Sequence, residues 1–208
     1  MNIQPEAKVI LCYGDSNTRG TAPDGSRYKA DVRWTGQLQF LLGEGFYVIE
    51  EGLGGRTTDL EDSRPGKDGR NGLAYFKPCL LTHAPVDVLI IMLGTNDLKN
   101  IYDRSAEEVA VKVAEYCRIA QETASVRRLL IVSPSLITAV EPIEYYDQSS
   151  ADKSHQLTAE LKKVADETGA AFLDAAELVV TGEDGLHWDI DSHKSFAEAV
   201  KKMVETLA

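Results

Sequence analysis

The sequence predicts an α/β chain: a three-layer α/β/α sandwich around a central, mostly parallel five-stranded sheet. Three observations lead there. Strand-like and helix-like segments alternate about five times along the chain, with helix-length spacers between the strands. The run Val88 to Leu93 is unbroken Val, Leu, Ile and Met, as in a strand buried on both faces of a parallel sheet. Neither repeats nor low-complexity segments nor a linker interrupt the 208 residues, so one domain over residues 1–208 is expected.

Taken in order, Lys8 to Gly20 (KVILCYGDSNTRG) opens the series. Val9 to Tyr13 reads as a buried strand that breaks at Gly14 into a tight turn carrying Ser16. A polar loop, Thr21 to Arg33, precedes a helical segment from Thr35 to about Leu42. Phe46 to Glu50 is the second strand and runs into Gly52-Leu53-Gly54-Gly55, and a charged, glycine-containing loop covers Asp59 to Asn71. A short helix around Leu73 to Thr82 leads to the third strand, Val86 to Leu93. Ser105-Ala106-Glu107-Glu108 is a capping box, with Val109, Val113, Tyr116 and Ala120 on one helical stripe behind it. Leu129 to Val132 is the fourth strand, followed by a loop from Leu136 to Ser150. A helix from about Asp152 to Thr168, a short strand Ala171 to Leu173 and a last helix, about Ser192 to Leu207, complete the pattern.

Composition narrows the function. Apolar residues are 43% and charged residues 26%, the balance of a globular protein. A net charge of −11 argues against nucleic acid or an anionic membrane as partner, because Lys and Arg supply most phosphate affinity. No run is long enough to span a membrane, and MNIQPEAK has no apolar signal core. Cys12, Cys79 and Cys117 lack metal-ligand spacing. The expectation is a cytoplasmic protein with no metal and no cofactor.

In parallel α/β folds, sites gather at the carboxyl ends of the strands. Those ends carry Gly14-Asp15-Ser16, Gly52 to Gly55 and Gly94-Thr95-Asn96-Asp97, while Asp184-Gly185-Leu186-His187-Trp188 precedes the last helix. Each alone has a plain structural reading: a helix cap for Asp15 or Ser16, a turn for the glycines, a cap for Asn96 or Asp97, a structural histidine. Together they fill the roles of a serine hydrolase. Ser16 is the nucleophile, His187 the base, and Asp184 the group that orients the base from within the same loop. The Ser16 N–H, a backbone N–H at Gly55 and the Asn96 amide are candidate oxyanion donors, with Gly54 as the alternative to Gly55. Asn17, Arg19, Trp188, Tyr145 and Tyr146 are candidate pocket residues, while His83, His155 and His193 read as structural.

These same residues resemble the SGNH (GDSL-type) hydrolases, named for the Ser, Gly, Asn and His of four sequence blocks. Gly14-Asp15-Ser16, Gly55, Gly94-Thr95-Asn96-Asp97 and Asp184-x-x-His187 occur in the family's order across nearly the whole chain. Tyr13 to Ser16, Arg33-Trp34, Glu50 to Leu53 and Ile91 to Asp97 are similar to the bacterial arylesterase and acyltransferase branch. The resemblance implies an SGNH/flavodoxin-like fold and a serine esterase for small acyl esters, including acetylated sugars, with acyl transfer in some members and assembly into homo-oligomers. Asn17 stands where the family usually has leucine, Arg19 where this branch often has tryptophan, and Glu51 where block two often has asparagine. A thioesterase or lysophospholipase would use the same residues, and a nucleotide- or phosphate-binding module with Gly52 to Gly55 as its loop is the alternative from another class. No Gly-x-Gly-x-x-Gly opening a helix and no Gly-Lys-Ser/Thr supports that alternative.

Overall fold

The computed structural model describes residues 3–123, 125–138 and 145–208. Its sheet has five strands: β1 (Lys8–Gly14), β2 (Phe46–Gly52), β3 (Val86–Met92), β4 (Val126–Ser133) and β5 (Ala171–Asp174). They lie in the order β2-β1-β3-β4-β5, and every pairing is parallel. The expected sheet is therefore present, with no antiparallel member among the described residues. Six helices accompany it: α1 (Ser16–Arg19), α2 (Trp34–Leu42), α3 (Gly72–His83), α4 (Ala106–Glu122), α5 (Gln148–Thr168) and α6 (Ile190–Leu207).

The period of two along each strand divides the core into two layers. Ile10 and Cys12 of β1, Val88, Ile90 and Met92 of β3, and Leu130 and Val132 of β4 pack with Trp34 and Leu38 of α2 and Phe196 and Val200 of α6. Leu11, Tyr13, Leu89, Ile91 and Ile131 point the other way, onto α3, α4 and α5. Burial on both faces explains the near-continuous apolar strands. The capping box at Ser105 and Glu108 forms as expected. A second box, Asp147 with Ser150, starts α5 at Gln148, four residues before the expected start at about Asp152, because these capping side chains satisfy the first N–H groups of the helix. Part of the expected Leu136–Ser150 loop lies outside the described residues.

The direction of winding reverses between β1 and β3, since the chain leaves β1 for β2 on one side and returns to β3 on the other. This reversal opens a crevice at the carboxyl ends of those strands. There β1 and β2 end in register at Gly14 and Gly52. A Cβ on Gly52 would lie 2.2 Å from the Arg19 nitrogen and 2.6 Å from the Thr18 carbonyl carbon, so α1 rests directly on the β2 backbone. Gly52→Ala must push these backbones apart and is expected to cost about 1–3 kcal/mol, measured as a lower urea midpoint with an unchanged m value.

Candidate active site

Ser16 is the first residue of α1, a single turn closed by Gly20 at φ +77°. The expected helix behind the serine is thus only four residues long, too short for an extended macrodipole, and local donors must do the work. The Asp15 side chain caps the turn by accepting from Asn17 N–H at 3.1 Å. That leaves the Ser16 N–H without a partner among the described residues.

Asp184 and His187 form a unit within one loop. The Asp184 carboxylate lies 2.5 Å from His187 Nδ1 and also accepts the backbone N–H groups of Leu186 at 3.0 Å and His187 at 2.9 Å. This network fixes the imidazole with Nε2 as its free nitrogen. The Asn17 amide ties that loop to the Ser16 turn. Its Nδ2 donates to the Leu186 carbonyl at 3.2 Å, and its Oδ1 accepts from Trp188 N–H at 3.2 Å. No hydrogen bond joins Ser16 to His187 among the described residues; such contacts are often loose in ligand-free hydrolases and tighten in the Michaelis complex.

Asn96 follows β3 in a short 3₁₀ turn and is buried. Its Oδ1 accepts from the Tyr146 hydroxyl at 3.2 Å, which orients Nδ2 toward Asp15 Oδ2, 3.4 Å away. Gly54 and Gly55 are the central residues of a turn closed by Arg56 N–H donating to the Leu53 carbonyl at 3.0 Å. Gly55, at φ +79°, takes the left-handed position that such a turn requires at its third residue. The Gly55 N–H has no partner among the described residues. The glycine stretch enters a loop, and α3 begins only at Gly72, so no helix N-terminus stands behind it to make a phosphate cradle.

Not every candidate pocket residue lies where expected. Trp188 is fully buried in the α2/α6 core, edge-on to Phe196, with its indole N–H on Ser135 Oγ at 2.9 Å. It is a core residue and not part of a pocket: its ring packs on Phe196 and its backbone N–H donates to Asn17 Oδ1. Tyr146 is likewise buried and acts on Asn96 rather than on a ligand. Tyr145 lies beneath the Arg64 guanidinium, 4.1 Å from ring to cation. Arg19 donates to Thr21 Oγ1 at 3.0 Å and lies alongside Gly54. His83 bonds Glu51 at 2.9 Å, and His193, pushed down to about 4 by burial, accepts from Trp34 N–H. Glu51, Cys79 and His83 have ligand-type atoms within 4.8 Å of one another, but burial drives the thiol up to about 12 and the Arg56 cation is close by.

Three side chains gain roles that residue type alone does not signal. Arg56 donates to the carbonyls of Gly14, at 2.8 Å, and Glu51, and stacks 4.2 Å over Tyr13, locking the β1 and β2 ends together. Asp97 accepts the Thr58 N–H at 3.0 Å and its hydroxyl at 2.6 Å, tying the glycine loop to β3. Lys99 is buried beside Tyr146. Arg, Asp and Lys beside glycines read as surface residues, so the burial of these three carries no sequence signal beyond the Gly55-Arg56-Thr57-Thr58 run.

An α/β/α sandwich with a serine turn after β1, an Asp–His pair before the last helix and an oriented amide after β3 is the framework of a serine hydrolase. Residues 12–194 match the model of the GDSL-like lipase/acylhydrolase family, and the chain belongs to that family. The aryl esterase of M. smegmatis superposes with a TM-score of 0.88 at 34% identity, covering 97% of this chain and 100% of that one. Est24, a carbohydrate acetylesterase from Sinorhizobium meliloti, does so with 0.87 at 32% identity over the same shares. A putative arylesterase from Agrobacterium tumefaciens gives 0.88 at 32%, covering 97% and 100%. An uncharacterized lipoprotein, YqeF, of Bacillus subtilis is 33% identical over 88 residues, 42% of this chain but only 31% of that protein's length.

Burial pushes the Asp97 carboxyl up to about 6, against hydrogen bonds from Thr58 that pull it down. A carboxyl raised above its unfolded value of 3.8 binds more protons in the folded state, so its contribution is full below that value and is lost as pH rises through about 6. Compared with Asp97→Asn, the wild type should lose on the order of 1–3 kcal/mol of stability between pH 4 and 7. Denaturant melts of both proteins across that range measure it, and parallel pH curves would contradict it.

Proposed function

We propose that this chain, working as one domain, is a serine esterase that hydrolyses small acyl esters of the acetyl type, on aryl or carbohydrate alcohols, through an acyl-enzyme. Membership of the GDSL-like family and full-length likeness to aryl and carbohydrate acetylesterases make it a carboxylic ester hydrolase. The observation that carries the assignment of roles is the Asn17 clamp, which holds the oriented Asp184–His187 pair against the serine turn.

In this mechanism His187 Nε2 takes the Ser16 proton as Oγ attacks the ester carbonyl, and Asp184 holds the tautomer and stabilises the imidazolium. The tetrahedral oxyanion accepts from the Ser16 N–H, the Gly55 N–H and Asn96 Nδ2. Collapse expels the alcohol, which takes the proton back from His187. Water then repeats the sequence on the acyl-enzyme, and an alcohol in its place gives acyl transfer. The Tyr146 bond to Asn96 supports the third donor, since a fixed amide costs no reorganisation when charge develops.

No helix among the described residues is long and apolar enough to cross a membrane. The buried, unpaired Cys12, Cys79 and Cys117 suit a reducing, cytoplasmic setting. Phe40 on α2, 83% exposed, is a natural contact for a homo-oligomer.

Purified protein should hydrolyse p-nitrophenyl acetate faster than the butyrate ester. Ser16→Ala, matched for folding by circular dichroism, should lose at least ~10⁴-fold in kcat. Asn96→Ala should lose about 10²–10³-fold with little change in KM. Equal rates for wild type and Ser16→Ala would reduce Ser16 to a turn residue and end the serine-esterase reading.

A further inference from the structure

Lys99 is the anomaly of this molecule. Its side chain follows the Asn96 turn and is only 6% exposed. Lysine is almost never buried unless paired. Yet no hydrogen bond or ion pair reaches its ammonium among the described residues, and its nearest recorded partner is the Tyr146 ring, 5.9 Å from Nζ.

The charges facing it do not resolve this. Asp62 and Asp15 attract the ammonium, while Arg64 and Lys67 repel it. Asp62 is already bound by the Arg64 fork at 2.5 and 2.7 Å. Asp15 is engaged by Asn17 N–H and Asn96 Nδ2. Tyr146 meanwhile links the two functions of the region: its ring faces Lys99 and its hydroxyl holds the Asn96 amide. A group bound next to the oxyanion donors therefore has close at hand a largely buried cation that no protein acceptor occupies among the described residues.

We propose that Lys99 is an anion subsite of the esterase, selecting esters that carry a carboxylate or similar anionic group near the scissile bond. The proposal rests on the serine-esterase reading and adds the substrate class to it. Burial, with Arg64 second, lowers the ammonium to about 8, so it is charged at neutral pH and loses its charge in mildly alkaline solution.

Two matched substrate pairs separate the two places where the anion can sit. In 4-acetoxybenzoate and its methyl ester it is on the leaving group, and in mono-4-nitrophenyl adipate and 4-nitrophenyl methyl adipate it is on the acyl chain. For at least one pair, the charged-to-neutral ratio of kcat/KM should fall roughly tenfold or more in Lys99→Met, and Lys99→Arg should keep much of it. In the wild type the same ratio should fall between pH 7 and 9, and groups common to both substrates cancel in it. This second readout decides the matter if the methionine variant does not fold. Ratios flat with pH and unchanged by substitution, for both pairs, would overturn the proposal. Ser16→Ala is the separate control: undiminished hydrolysis there would instead overturn the serine-esterase reading.

Discussion

The side-chain amide of Asn17 bridges two parts of the chain that share no secondary structure. One is the turn after β1; the other is the loop before α6, some 170 residues later (|i−j| of 169 and 171 for its two bonds). The amide uses its donor and its acceptor together, so the two loops are held in both position and orientation. Asn17 is buried, where losing either bond leaves a backbone group unsatisfied. Leucine at this position offers neither bond. The polar residue beside Ser16 therefore belongs to the scaffold that joins the Ser16 turn to the loop carrying His187.

The same logic holds on the other sides of the crevice. Arg56 donates to the carbonyls of Gly14 and Glu51 where β1 and β2 end, and Asp97 satisfies the Thr58 N–H in the glycine loop. Tyr116 and Tyr13 add bonds to the Thr58 and Gly72 carbonyls from the core below. An open sheet buried on both faces has polar backbone to satisfy at its strand ends and along its edge strands, here β2 and β5. Here the side chains that satisfy it also fix the loops around the proposed site, so those loops are held by the same bonds that terminate the strands.

Electrostatically the crevice is under tension. Asp15 is pushed up to about 6 and Asp97 likewise, both by burial, while Lys99 is pushed down. Buried ionisable groups whose pKa values are drawn toward neutral pH cluster at functional sites. Lys99 feels attraction from Asp62 and Asp15 and repulsion from Arg64 and Lys67, so charges of both signs act on one buried ammonium. An overall charge of −11 gives no hint of such a local balance.

The sequence alone determined the strands, the layer order and the identity of the triad candidates. These depend on short-range patterns: an apolar run ending in glycine, a carboxylate three residues before an imidazole, a capping box. Covalent spacing sets what such neighbours can do for one another. Tertiary structure alone decided which polar and aromatic residues face inward. Trp188 lies next to His187 in sequence, yet its ring is in the core; Tyr146 orients an amide; Lys99, a residue type usually on the surface, is only 6% exposed. Burial depends on what distant segments bring to the same place, and no local pattern encodes that.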